Sequence, residues 1–426
     1  MNEKIVKQNG QEIYNNIKDI IDSVGPRLPG SEEEYQGAKI FAAQLKNAGL
    51  EPQIETFQCA PEASIAAVPA LGYVGFAAIA LFYLTPIASL ILSLCAFIFA
   101  IFQVFFYTGL FDFLSKKARS QNVIAALEPK GEQEVHRTIM LTGHIDSSWC
   151  WKLSYQNADN MMAKTIVGVI SMAAIAIISI IALGVGATSF NFWNTDILDN
   201  KGNIANAGFL IMYLLPIMGI PGSFWLSQFL TKDKAQASQG AMGNLSGSEI
   251  ALMVTKFYKE HPEKMPKNTR IVCASFGAQE SGLKGSYAYC KAHKKEIDKH
   301  CFVINIDSIR DMEHFNVITG DTWLMSHFDK ELTHLALSTM AECGIQNAGA
   351  IQNPVGGCDS TPFDKSNART ITISALNPKP TEYYHTSRDT VDNLNIDTLA
   401  KCFEVVVALV PKIAEIDKRE TAKETK

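Results

Sequence analysis

The sequence predicts an α/β fold: a mixed, mostly parallel sheet flanked by helices and interrupted by two transmembrane helical hairpins. Two observations carry this. Short β-rich runs alternate with helical patterns through three separated stretches of chain, as expected for a sheet covered on both faces. Between those stretches lie two long segments that are almost wholly apolar and nearly free of charge.

The elements follow in order. Met1-Asn2-Glu3-Lys4 opens a polar amphipathic stretch with no apolar signal-peptide core. Ser31 followed by Glu34 reads as a capping box opening a helix from Glu32 to Ala48, which Gly49 ends. β-rich runs occur at Asn122 to Ala126, Thr138 to Leu141, Arg270 to Ser275, Cys301 to Ile306 and Arg369 to Ser374. Helical patterns occur at Ser246 to Lys259, Gly285 to Lys294 and Lys330 to Cys343. Asn395 to Ile416 reads as a closing amphipathic helix, and Asp417 to Lys426 as a charged, frayed tail.

The apolar segments are too long to be single spans, since roughly 20 residues cross a bilayer. Val68 to Leu84 and Ile87 to Tyr107 form one hairpin around Thr85-Pro86. Thr165 to Ala187 and Ala207 to Leu230 form a second, whose Pro216 and Pro221 a membrane helix tolerates. Each insertion crosses twice, so the chain returns to its starting side both times. Lys116, Lys117, Arg119, Lys152, Lys164, Lys232 and Lys234 flank that side. The far side holds the Thr85-Pro86 turn and Thr188 to Asn206, with Asp196, Asp199 and Lys201. The lysine bias places the folded domain in the cytoplasm of a multi-pass cell-membrane protein. The expected division is a discontinuous domain of residues 1–65, 112–162 and 232–426, with hairpins at 66–111 and 163–231.

Composition excludes some partners. A net charge of −5 and a pI near 6.0 give no reason to expect a nucleic acid. Nine cysteines, an odd count without a CxxC pair, fit free thiols in a reducing compartment.

Candidate ligands stand at the ends of β-rich runs. Gly143-His144-Ile145-Asp146-Ser147 follows one run, Gln279-Glu280-Ser281-Gly282-Leu283 follows another, and Asn305-Ile306-Asp307 ends a third. Tyr384-His385-Thr386-Ser387-Arg388-Asp389-Thr390 adds a second histidine with a carboxylate close behind. In α/β sheets, sites gather beyond the carboxyl ends of strands. His144, Glu280 and Asp307 fall there, and two histidines and two carboxylates at four separate strand or loop ends point to a zinc centre. His136, His261, His293, His300, His314, His327 and His334 match no motif and read as surface or core residues.

Taken together, these motifs resemble the zinc aminopeptidases of the bacterial leucyl-aminopeptidase-like, di-zinc exopeptidase family, whose relatives include glutaminyl cyclases. Gly25-Pro26-Arg27-Leu28-Pro29-Gly30-Ser31, Ser120-Gln121-Asn122-Val123-Ile124-Ala125, Asn244-Leu245-Ser246-Gly247 and Asp359-Ser360-Thr361-Pro362-Phe363 extend the likeness in the family's order. The resemblance implies a zinc-exopeptidase-like fold and a peptide substrate or ligand. It also implies His144 and Asp307 as ligands of one metal, Glu280 and His385 as ligands of the other, and Asp146 as the carboxylate that orients His144.

Two departures change that expectation. The family carries a metal-bridging aspartate where this chain has Gly243, and a general-base glutamate where it has Gln279. A bridging carboxylate screens two cations about 3.5–4 Å apart, and a neutral amide cannot take a proton. Loss of a general base typically costs about 10²–10⁴ in rate. The sequence therefore favours a metalloaminopeptidase-like hydrolase homologue, a possible pseudoenzyme, holding one zinc ion or none rather than two. The alternatives are an active metallo-exopeptidase with a rearranged site, using Asp159, Glu249 or Asp359 as a substitute carboxylate, and a metal-independent peptide-binding or scaffold protein.

Overall fold

The computed structural model describes residues 1–131, 133–185, 198–353, 356–377 and 383–424, without the side chains of 157–158 and 417–424. Ala187 and Asp196 lie outside the described residues. The chain forms two compact units. One comprises Met1–Pro61, Ser115–Cys150 and Asp233–Lys426, the other Glu62–Leu114 and Trp151–Lys232.

The first unit holds one eight-stranded sheet: β1 Pro52–Cys59, β2 Ala118–Leu127, β3 Arg137–His144, β4 Thr269–Phe276, β5 Cys301–Ile309, β6 Phe315–Asp321, β7 Gly349–Asn353 and β8 Arg369–Ala375. Its order is β1-β2-β4-β3-β5-β8-β6-β7. The four central strands, β4, β3, β5 and β8, are mutually parallel, so their carboxyl ends share one edge. The pairings of β1 with β2, β2 with β4 and β6 with β8 are antiparallel, which makes the sheet mixed. The five β-rich runs of the sequence fall in β2, β3, β4, β5 and β8. The central strands are buried on both faces and therefore read as continuous apolar runs. The sequence reading missed β1, β6 and β7. β1 and β7 lie at the sheet edges and are largely exposed, and β6 ends in the turn-like Thr319-Gly320-Asp321.

The helices of this unit are α1 Glu3–Val24, α2 Glu32–Asn47, α3 Ser246–Glu260, α4 Lys284–Ala292, α5 Lys330–Glu342, α6 Ser360–Asp364 and α7 Ile396–Glu424. They cover both faces of the sheet. Ile139 and Leu141 of β3 join Ile13, Ile17, Phe41, Val254, Phe403 and Val406 on one side, while Met140 joins Tyr289 and Phe363 on the other. This is the strand's period of two turned into two cores. α7 runs on past Ile416, where the sequence placed its end.

The capping box forms only in half. Ser31 caps α2 by accepting from the Glu34 amide at 3.1 Å. The Glu34 carboxylate, fully buried, does not return to Ser31. It accepts instead from the Gly30 amide at 2.8 Å, the Ala278 amide at 2.8 Å and Ser120 Oγ at 2.9 Å.

Glu249 on α3 is also fully buried. One oxygen accepts from Asn16 Nδ2 at 3.0 Å, and the other has no hydrogen-bond partner among the described residues. Burial pushes this carboxyl up to about 8. A raised folded-state value means that stability is full below the unfolded value and declines as pH rises from about 4.5 toward 8. Glu249→Gln keeps an acceptor for Asn16 and removes the ionisation. It should match the wild type at pH 4 and be more stable by about 1–3 kcal/mol at pH 7 to 8. Thermal melting in detergent across that range checks this, and a difference independent of pH would contradict it.

The second unit contains four helices long and apolar enough to cross a membrane: Ile65–Leu84, Pro86–Phe105, Asp159–Gly184 and Ala207–Ser227. The third begins earlier than Thr165, because helical structure runs unbroken from Lys152. Small residues set the packing. A Cβ at Gly72 would lie 2.2 Å from the Ser227 amide nitrogen, and one at Gly222 would lie 2.3 Å from Ser171 Oγ. Close backbone approach of this kind is how apolar helices associate without a hydrophobic driving force. Ser64 Oγ donates to the Gln103 carbonyl, and the Leu153 amide donates to the Phe229 carbonyl, pairing the entry and exit of each insertion. Near the opposite ends of their helices, Ser179 Oγ donates to Ser89 Oγ at 3.2 Å and Tyr83 Oη donates to the Tyr213 carbonyl at 2.5 Å.

Candidate metal centre

Three candidate ligands sit at the carboxyl edge of the parallel strands, and His385, from the segment after β8, reaches one of them. His144 is the last residue of β3, and its strand neighbour in β4 is Phe276. Glu280 lies in the turn after β4, and Asp307 is near the end of β5, opposite Ser374 of β8. The approach of α3 to this edge requires glycine: a Cβ at Gly143 would fall 2.4 Å from the Ser248 amide nitrogen, and one at Gly247 would fall 1.9 Å from the Ile306 carbonyl oxygen. Asn244 ties the same corner together. Its Nδ2 donates to the Ile306 carbonyl at 2.8 Å, and its Oδ1 accepts from the Ser308 amide at 3.2 Å. Ser308 in turn donates from Oγ to Asp307 Oδ1 at 2.8 Å, which orients that carboxylate.

Asp146 organises the centre. Its Oδ1 lies 3.3 Å from His144 Nδ1, leaving the other ring nitrogen for a ligand role. The same carboxylate accepts from the Gln279 amide at 3.1 Å and the Glu280 amide at 2.9 Å. Thus one buried side chain sets both an imidazole and the turn that carries the next ligand. Burial alone would lower the His144 value, but Asp146, with Asp307 and Glu280 behind it, raises it to about 10.

Glu280 and His385 meet directly, with Oε1 and Nε2 2.8 Å apart. Burial pushes Glu280 up, but His385, helped by His144 and Ser148, holds it below the usual carboxylate range. Asp307 is raised by burial against the opposing pull of His144. The four side chains therefore gather in one electrostatic neighbourhood. Glu280 and His385 are in contact, and among the described residues no three His, Cys, Asp or Glu side chains form a group that could hold a metal ion. Two imidazoles and two carboxylates are the donor chemistry that zinc takes. With zinc bonds of about 2.0–2.2 Å, an ion shared by Glu280 and His385 would part them only slightly. The donor chemistry of His144, Glu280, Asp307 and His385 fits zinc, but among the described residues the four do not stand as a formed cage.

The two departures have distinct surroundings. At Gly243 φ is −113°, a conformation open to any residue. Among the described residues, a Cβ there would meet only Ser308 Oγ at 3.7 Å and Asp389 Oδ2 at 3.8 Å. Gln279 uses its amide: Nε2 donates to the Gly357 carbonyl at 3.2 Å, a bond an ionised glutamate could not make.

Three residues outside the candidate ligand set, Arg27, Asp389 and Glu34, complete the support. Arg27 is fully buried and donates to the carbonyls of Ile145, Gly25 and Gly240, while its amide donates to Ser147 Oγ. Asp389 accepts from the Met242 and Gly243 amides at 2.7 and 3.2 Å and from Ser238 Oγ. Glu34 reaches the turn after β4 through Ala278. Burial lowers Arg27 to about 10, although Asp389, Asp146 and Glu34 oppose it. The invariant charge of Arg27 is therefore matched by carboxylates from three distant segments.

Of the substitute carboxylates, Asp159 is exposed within the helical unit, and Glu249 is committed to Asn16. Asp359 remains. It is fully buried, with Oδ1 accepting from Ser286 Oγ at 2.5 Å and Oδ2 without a hydrogen-bond partner among the described residues.

Comparison with known proteins bears on the family and the fold. Residues 230–410 match the model of peptidase family M28. Aminopeptidase YwaD of Bacillus subtilis is 24% identical over 200 residues, 44% of this chain and 40% of that protein, so the alignment spans less than half of the relative's length. The solved structure of BSAP, a zinc aminopeptidase from Bacillus subtilis, superposes with a TM-score of 0.55 at 15% identity, covering 95% of each chain. An aminopeptidase from Aneurinibacillus sp. strain AM-1 gives 0.54 at 13% identity, over 95% of this chain and 94% of that one. At these identities the superpositions speak for the fold. The chain is thus similar over residues 230–410 to peptidase family M28, in sequence to a Bacillus aminopeptidase over 44% of its length, and in fold to zinc aminopeptidases.

Proposed function

We propose that this is a membrane-anchored zinc aminopeptidase-like protein whose peptide-hydrolysing centre is impaired, holding at most one zinc ion. The observation that carries the reading is the Gln279 side chain. It sits at the family's base position and donates to the Gly357 carbonyl, so the site is built around an amide there. When bound, zinc supplies Lewis-acid polarisation of a peptide carbonyl. Asp146 keeps the His144 ring oriented, Ser308 keeps Asp307 oriented, and Gln279 can hydrogen-bond a peptide but cannot accept its proton. Gly243 contributes no carboxylate, so nothing at that position bridges two cations.

The experiment is turnover of aminoacyl reporter substrates by purified protein with its zinc content measured. The expected result is no turnover above the rate without protein. His144→Ala and His385→Ala should each remove bound zinc, and zinc retained in both variants would relocate the site. Zinc-free protein that still binds peptides would favour a metal-independent binding role.

A second reading, an active exopeptidase with a rearranged site, is favoured by Asp359. Its unpartnered oxygen is buried two residues beyond Gly357, the residue that Gln279 touches. Burial pushes this carboxyl up to about 7, against the pull of His144. If wild-type protein turns over reporters, Asp359→Asn should reduce the rate by about 10²–10⁴. An active enzyme unaffected by that change would exclude Asp359 as the substitute base.

The membrane reading rests on the four apolar helices and on the pairing of each insertion's entry with its exit. Two double crossings with lysines on the domain side support a cytoplasmic α/β unit. A reporter fused after Lys426 tests this, and an external signal would overturn it.

A further inference from the structure

The second apolar helix ends in a turn that is fixed from inside and apolar outside. Leu110, Phe113 and Leu114 are 57%, 72% and 66% exposed. The turn is not loose. Gln103, 1% exposed, donates from Nε2 to Asp112 Oδ1 at 2.6 Å and accepts at Oε1 from the Phe111 amide at 2.9 Å. Thr108 Oγ1 donates to the Phe102 carbonyl and accepts from the Leu110 amide. The Phe111 ring lies 5.3 Å from that of Phe99 and 6.3 Å from that of Phe113.

A buried carboxamide is costly unless both of its ends are bonded. Here both are, and what they hold is the turn. Gln103 lies in a π-wound segment, Ala100–Phe105, the kind of irregularity that often marks functional positions. The bond to Gln103 engages the turn's one carboxylate, Asp112, and leaves Leu110, Phe113 and Leu114 to the outside. Exposed Lys116 and Lys117 follow in the chain.

We propose that Leu110–Leu114 is an interfacial lipid anchor, seated at the boundary between acyl chains and headgroups of the bilayer that the helices cross. Lipid is the occupant because the turn continues directly from an apolar helix of membrane-spanning length, and because the next cations in the chain suit phosphate headgroups. A rigid turn presents its side chains at one depth without the entropy of ordering a loose loop. The proposal rests on reading the four helices as membrane spans.

The test uses the full chain in phosphatidylcholine–phosphatidylglycerol vesicles, with a spin label at Phe113→Cys in a Cys95→Ser, Cys343→Ser background. Collision with oxygen and with a water-soluble nickel chelate reports depth. A second label at Ile91→Cys, on an exposed position of the second helix, reports whether that helix lies in hydrocarbon. The expected result is a several-fold higher oxygen-to-nickel ratio at 113 than at a water-exposed position, and a still higher ratio at 91. A high ratio at 91 with a water-like ratio at 113 overturns the anchor and leaves the spans standing. A water-like ratio at both overturns the span reading and the anchor with it. A label at 113 shielded from both reagents means a protein partner and also overturns the anchor. Gln103→Leu should return position 113 toward the water-like ratio with 91 unchanged, and an unchanged ratio at 113 would overturn the clamp.

Discussion

Gly243→Asp combined with Gln279→Glu should bind a second zinc ion and hydrolyse aminoacyl reporters faster than the wild type by about 10² or more. The structure offers room for the first change. The backbone at Gly243 is not left-handed, and a Cβ there would stand at ordinary contact distance from Ser308 and Asp389. The cost is electrostatic, since the new carboxylate points into the neighbourhood of Asp389. Gln279→Glu has the opposite profile. It fits by size but turns an oxygen toward the Gly357 carbonyl, forfeiting a hydrogen bond worth about 0.5–1.5 kcal/mol. Neither single variant should suffice, because one supplies the bridge and the other the proton acceptor. Metal analysis and reporter turnover on the four proteins check this. Equal turnover by wild type and double variant would mean the native site already has a substitute.

Asp146→Ala should be the most damaging single change at the centre. It removes the acceptor of two backbone amides, the carboxylate beside the His144 ring and a counter-charge to buried Arg27, leaving only the backbone carbonyl of residue 146, at 3.1 Å, to orient that ring. Breaking one side of such a buried set typically costs about 3–5 kcal/mol, and losing the group that orients a ligand histidine costs about 10–100-fold in metal affinity. The variant should melt well below the wild type and lose zinc to a weak chelator. A variant with wild-type melting and zinc affinity would show that His144 and the Gln279–Glu280 turn are held by something else.

The candidate ligands were legible in the sequence because His144, Glu280 and Asp307 stand at the ends of β-type runs and His385 lies inside a short motif. Asp146 was legible because it is two residues from His144. The supporting charges were not. Glu34 finds Ala278 across 244 positions, and Asp389 finds Met242 across 147. No local pattern announces contacts at such separations, which is why Glu34 read as half of a capping box. The central strands declared themselves through burial on both faces, whereas β1 and β7, exposed at the edges, carried no comparable signal. Nothing in the sequence says whether the Gly243 backbone admits an aspartate, whereas its φ of −113° does. That conformation is a property of the surrounding turn, which the glycine itself does not reveal.

The most direct test of an impaired centre is the zinc stoichiometry of purified wild-type protein. A site without a carboxylate at Gly243 should hold no more than one equivalent per chain. Two tightly held equivalents, both lost when His144 and His385 are replaced, would contradict the account. They would require a bridging carboxylate that Gly243 does not supply.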